Sequence, residues 1–149
     1  MHHRLWACLL AGLLGVVGCR TADSDEKLIP TSGNVKIDGE AAPNATVTFI
    51  PQGNTGGHGG SGTTDTAGHY QLASPHGKAG LPAGEYKVTV SRRLNRDGSP
   101  PAPNEMPIES QARETLPAKY HDKDKTELSA TLTADDKRSF DFDLKVKKK

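Results

Sequence analysis

Leu81-Pro82-Ala83-Gly84-Glu85-Tyr86-Lys87-Val88-Thr89-Val90 is the stretch that decides the fold. From Tyr86 onward apolar residues alternate with Lys87 and Thr89. Successive side chains of an extended strand point to opposite faces, so this spacing gives one apolar and one polar face. Pro82 and Gly84, just ahead, are turn residues that bring the chain into the strand. The same period of two recurs elsewhere. Val35 and Ile37 flank Lys36, Ala45, Val47 and Phe49 alternate with Thr46 and Thr48, and Tyr70 and Leu72 flank Gln71. Leu128, Ala130 and Leu132 alternate with Ser129 and Thr131, and Phe140, Phe142, Leu144 and Val146 alternate with Asp141, Asp143 and Lys145. Strands of this kind bury their apolar faces against one another, as two packed sheets. A further strand is expected near Ser61 to Thr64. The expected class is all-β.

The connections carry turn chemistry. Asp38-Gly39 is a tight-turn pair, Pro43-Asn44 a second turn, and Asp65-Thr66-Ala67-Gly68 a compact turn in which Asp65 can accept backbone N–H bonds. No long amphipathic helix is visible, and two helical turns are expected over Ile108 to Thr115, bounded by Pro107 and Pro117. Two stretches fall outside the alternating pattern. Gln52 to Gly62 is mostly glycine and is expected to be a mobile loop. Arg92 to Lys125, rich in proline and charge, is expected to be a surface excursion. Long loops in compact domains are usually functional or disordered, so partner recognition is sought there first.

The N-terminus has a different character. His2, His3 and Arg4 lead into an apolar run from Leu5 to Val17 that ends Val16-Val17-Gly18-Cys19. The run is too short for a helix across a bilayer, which needs roughly 20 apolar residues, and fits a cleaved secretory signal. Ending on Val-Val-Gly-Cys, it resembles a bacterial lipoprotein signal with its lipobox. That resemblance implies cleavage after Gly18 and acylation of Cys19, palmitate among the chains. The mature chain of 149 − 18 = 131 residues would then hang from a membrane by lipid. It would keep 18 of the 19 Lys and Arg side chains against 18 acidic ones, a balance that gives no electrostatic reason for nucleic acid as partner. Cys8 lies in the signal, so no thiol remains for a disulfide or a cysteine metal site. The expected organisation is residues 1–18 as signal peptide, 19–32 as lipidated cysteine and flexible tether, and 33–149 as the β-sandwich. Arg20, where an Asp signals inner-membrane retention in many Gram-negative bacteria, favours an outer-membrane location facing the periplasm or exterior.

Three short segments carry a family resemblance. Gly33-Asn34-Val35-Lys36-Ile37-Asp38-Gly39 followed by Pro43-Asn44-Ala45-Thr46-Val47 resembles the opening strands of carboxypeptidase regulatory-like domains. Thr64-Asp65-Thr66-Ala67-Gly68-His69-Tyr70 is similar to that family's Thr-Asp-x-x-Gly-x-aromatic turn, and Leu81-Pro82-Ala83-Gly84-Glu85-Tyr86-Lys87-Val88 to its Leu-Pro-x-Gly-x-Tyr-x-Val signature. Pro117-Ala118-Lys119-Tyr120 followed by two strands is similar to lipoproteins of this type in planctomycete bacteria. The resemblance implies a transthyretin-like Greek-key β-sandwich of about seven strands, commonly an accessory or adhesive module. Gly39, Asp65, Gly68 and Gly84 are then structural turn residues, with Tyr70 and Tyr86 filling the space between sheets and needing partners for their hydroxyls.

The chemistry-bearing residues give no catalytic constellation. Gly57-His58-Gly59-Gly60-Ser61-Gly62 matches G-x-G-x-x-G, but no helix start follows, and Thr63 stands where a phosphate loop needs lysine. His58, His69, His76 and His121 show no pair spacing for zinc, and neither Asp122 and Asp124 nor Asp135-Asp136 resembles a twelve-residue calcium loop. Asp135-Asp136 is expected as the turn between the last two strands, and Lys147-Lys148-Lys149 as a solvated end. Some transthyretin-like proteins are hydrolases with a C-terminal Tyr-Arg-Gly-Ser, whereas this chain ends in lysines, and it has no G-x-S-x-G. The expectation is a non-enzymatic, lipid-anchored cell-envelope β-sandwich without cofactor or metal, serving as a binding, adhesive or scaffolding module. Its partners would be the membrane through Cys19 and an envelope protein or polysaccharide. Alternatives are a carbohydrate-binding module and, behind it, a metal-dependent or transthyretin-like hydrolase. Sugars stack on exposed aromatics, and only Tyr120, with His121 beside it, is expected to be free as a ligand contact.

Overall fold

The computed structural model describes residues 27–106, 108–134 and 139–146. Within these residues ten strands and one short helix follow in order: β1 (Ser32–Ile37), β2 (Glu40–Ala41), β3 (Thr46–Pro51), β4 (Gly60–Thr63), β5 (His69–Gln71), β6 (Gly84–Ser91), β7 (Arg93–Leu94), β8 (Arg113–Glu114), α1 (Ala118–His121), β9 (Ser129–Leu132) and β10 (Phe142–Leu144). The molecule is all-β, as the alternation predicts.

In one layer β1 is central. β10 runs parallel to it on one side, with Val35 opposite Phe142 and Ile37 opposite Leu144. On the other side β5 pairs with its first half and β2 with its second, both antiparallel. The second layer has the order β4-β3-β6-β9, antiparallel throughout. The layers join along one side, where Ser61 and Ala73 exchange two backbone hydrogen bonds of 3.0 Å. β9 and β10 are left as the terminal strands of the two layers.

The side chains pointing between the layers are those of the alternating pattern. Val35, Val47, Phe49, Tyr70, Tyr86, Val88, Val90, Leu132 and Leu144 are buried. Phe49 of the second layer meets Phe142 and Phe140 of the first, with ring centroids 6.5 and 5.8 Å apart, and Tyr70 stacks on Phe142 at 6.5 Å. These offset and edge-on arrangements suit the aromatic quadrupole. The hydroxyls of the buried tyrosines are used: Tyr70 donates to the Phe140 carbonyl (2.7 Å) and Tyr86 to that of Pro82 (2.9 Å). Burial first, then the nearby Asp141 charge, pushes the Tyr70 phenol far above its ordinary value, so it remains a donor.

Four details depart from the sequence reading. The tether expected to run to Ser32 ends earlier. Ile29 exchanges hydrogen bonds with Leu81 (2.7 and 3.0 Å) and is buried, and Thr31 is buried with its hydroxyl on the Ile29 carbonyl. One isolated apolar residue has no period to reveal it, yet Leu81 supplies its partner. The glycine-rich loop is shorter than expected, because Gly60 and Gly62 lie within β4. A Cβ on Gly60 would come within 2.6 Å of Leu81 Cδ2, so this glycine allows close approach. The helical turns expected over Ile108 to Thr115 do not form. One turn closes on the Met106 carbonyl, which accepts from Glu109 (2.9 Å) and Ser110 (3.0 Å), and Arg113–Glu114 is the extended β8. Helix α1 comes instead immediately after Pro117, whose fixed φ and missing N–H are tolerated at a helix start. Finally, Arg92 to Lys125 contains β7, β8 and α1 rather than lying wholly outside the sheets. The signal peptide and Cys19, Asp135-Asp136 and Lys147-Lys148-Lys149 lie outside the described residues.

Candidate functional site

The Arg92–Lys125 excursion is the largest departure from the two layers, and its base is pinned in three places. Glu114 is the first. Its carboxylate accepts from the Ser91 hydroxyl (2.6 Å) and from the backbone N–H groups of Arg92 (3.0 Å), Thr115 (3.0 Å) and Leu116 (2.9 Å). Partial burial alone would raise its pKa. The Ser91, Arg92 and Leu116 hydrogen bonds and the charge of nearby His121 outweigh that and hold the carboxyl below its ordinary value. The second pin is the β7–β8 ribbon, strengthened by Arg93 Nη2 donating to the Ala112 carbonyl (2.8 Å) and Arg92 Nε to that of Pro43 (2.9 Å).

Tyr120 is the third, and it is not the free aromatic expected from the sequence. It is 9% exposed and belongs to the core. Its hydroxyl donates to the Lys145 carbonyl (3.1 Å) and accepts from the Lys145 N–H (2.9 Å), tying α1 to the end of β10. Lys119 Nζ sits 4.7 Å from the ring centroid. An isolated tyrosine in a charged stretch carries no periodicity, which is why its burial escapes the sequence. His121 is half-buried and stands in the electrostatic reach of Glu114 and Asp122. Of the six aromatics from Phe49 onward, five are buried and Phe140 packs partly buried against them.

The tip between the pins, described over residues 95–106 and 108–111, is held by its own short turns. The Asn95 N–H donates to the Ser99 carbonyl and the Asn95 carbonyl accepts from Gly98, Asp97 accepts from Ser99, and the Glu105 N–H bonds the Ala102 carbonyl. It carries the exposed large hydrophobics among the described residues, Met106 at 59% and Ile108 at 89%. Asp97, Glu105 and Glu109 with Arg96 line the cleft beside them.

The turn residues sit at junctions. Asp38 (φ 52°) and Gly39 (φ 90°) make the β1–β2 turn, whose positive φ values suit the twist of a hairpin. Asp65 Oδ1 accepts from Ala67 (2.8 Å) and His69 (3.0 Å), and Gly68, at φ 79°, offers its carbonyl to the Val35 N–H (2.8 Å). Gly84 opens β6 beneath Thr55, whose Cβ would be 2.8 Å from any Cβ placed there. Buried Thr64, the first residue of the Thr-Asp-x-x-Gly-x-aromatic segment, accepts from the Ala45 N–H (2.8 Å) and donates to the Ala42 carbonyl (2.5 Å).

His58 and His76 meet edge to face, with ring centroids 6.3 Å apart. Among the described residues no three His, Cys, Asp or Glu side chains come together as a metal-holding group. Asp122 binds its own turn, accepting from the Asp124 N–H (2.9 Å) and pairing with Lys125 (3.5 Å). No helix among the described residues is long and apolar enough to cross a membrane. Comparison of the chain with models of protein families, with curated proteins and with solved structures finds no match.

Proposed function

We propose that this chain is a non-catalytic, lipid-anchored module of the bacterial cell envelope, moored at Cys19, whose β body binds or scaffolds an envelope partner. On this reading the body is a carboxypeptidase regulatory-like domain with transthyretin-like, Greek-key connections, and its membrane is the outer one. The observation that carries the proposal is the placement of the two ends of β6. Ile29, the first core residue among the described residues, pairs with Leu81 just ahead of β6, and the excursion leaves from Ser91 at its other end. Eight strand residues at about 3.3 Å each separate the two by roughly 25 Å. A body tethered near Leu81 therefore holds its longest excursion away from the lipid, the arrangement a presenting module needs. The polar side chains buried in the body serve its own hydrogen bonds, Thr31, Thr64 and Thr126 among them.

Labelling cells with a clickable palmitate analogue tests the mooring. The wild-type chain is expected to take the label and fractionate with membranes, and Cys19→Ser to lose both. Equal labelling and equal retention of the two chains would overturn the reading.

A further inference from the structure

We propose that β9 is a dimerisation edge, along which two copies of this chain pair antiparallel through Ser129–Thr133. The inference does not depend on lipid at Cys19. Among the described residues β9 has one neighbour, β6, and nothing pairs with its outer side. The Val88 N–H bonds the Leu128 carbonyl (2.8 Å), which turns the backbone groups of Leu128 toward β6. By the two-residue alternation of a strand, Ala130 and Leu132 also turn toward β6. The N–H and C=O groups of Ser129 and Thr131 then point outward.

An open edge of this kind is ordinarily guarded by charge, proline or brevity. The other strands at the ends of the layers are guarded. β10 carries Asp143 and is flanked by Asp141 and Lys145, and both backbone groups of Lys145 are taken by Tyr120. β2 is two residues long and carries Glu40, and the outer side of β4 is bonded to Ala73. β9 alone, Ser129-Ala130-Thr131-Leu132, and the two residues after it, Thr133-Ala134, hold neither charge nor proline, with Ser129 and Thr131 exposed.

The sequence along this edge favours a second copy as occupant. With the twofold axis at Ala130, Ser129 of one copy faces Thr131 of the other and Glu127 faces Thr133, so hydroxyls meet and no like charges do. Ser and Thr pairs across a strand are favourable contacts. Moving the axis to Thr131 would set Glu127 against Asp135, two like charges, which disfavours that register relative to the one centred on Ala130.

Native mass spectrometry of the full chain released from detergent tests this. The wild type is expected to be dimeric at micromolar concentration, and so is Cys19→Ser. Thr131→Lys places a charge on the edge, and Thr131→Pro removes an outward N–H that the fold does not use. Each should weaken the dimer at least about tenfold while the β circular dichroism is retained. If the proline variant does not fold, the lysine variant decides. A wild type monomeric up to about 100 μM, well above micromolar affinity, would overturn the proposal. So would a folded Thr131→Lys chain that dimerises as well as the wild type.

Discussion

Glu114 is the residue on which the excursion turns, because one carboxylate gathers a hydroxyl and three backbone N–H groups from both sides of the ribbon. Its pKa lies below the ordinary 4.5, so its contribution to stability is complete above that value and is lost as pH falls through it toward the folded pKa. Glu114→Gln should cost about 1 kcal/mol at neutral pH, the scale of a charge-assisted hydrogen bond partly screened by solvent. It should also flatten the acid limb of the stability curve. Thermal melts of both chains between about pH 6 and pH 3 check this, and parallel acid limbs would show that Glu114 does not carry the effect. Nothing in the sequence singles out Glu114, since its partners lie at irregular spacing on both sides of the ribbon. Tyr70 and Tyr86 were legible because each sits in a period of two, whereas Tyr120, bonded to Lys145 across the chain, has no local pattern to disclose it.

Among the elements, strands announced themselves in proportion to their alternation. β3 and β6 follow directly from the spacing of Val47 and Phe49 and of Tyr86, Val88 and Val90, because half-buried strands need that period. β7 and β8, two residues each, are too short for any period, and their pairing of Arg93 with Glu114 spans a long sequence separation. The segment from Ile108 to Thr115 has a helical composition, but Arg113 and Glu114 within it pair in extended form with Leu94 and Arg93, and this tertiary pairing overrides the weak local preference. The tip beyond the ribbon stands on turns closed within residues 95–110. Replacing residues 96–110 with Gly-Ser should therefore leave body stability within about 1 kcal/mol, because the lower closure entropy of a shorter surface loop offsets the tip's few ties to the body. Denaturant unfolding measures this, and a destabilisation several times larger would mean that the tip packs on the body after all.

For the whole molecule, the order of chain entry and exit along β6 sets which parts face the lipid if Cys19 is anchored. From Arg20 to Leu28 the chain has 28 − 19 = 9 residues, whose covalent reach is at most about 3.3–3.6 Å each, roughly 30 Å. The Leu81 end therefore stays within about 30 Å of the surface, while the excursion leaves roughly 25 Å farther along β6. A fluorophore on a cysteine at exposed Ala83, beside the start of β6, should be quenched more strongly by nitroxide-headgroup lipid than one at Asn104 in the tip. Both variants would be reconstituted as the lipidated chain in vesicles. Equal quenching, or stronger quenching at Asn104, would mean that the excursion lies on the membrane. The same surface would then be a lipid contact rather than a partner-facing one, because Met106 and Ile108 are the side chains it would immerse.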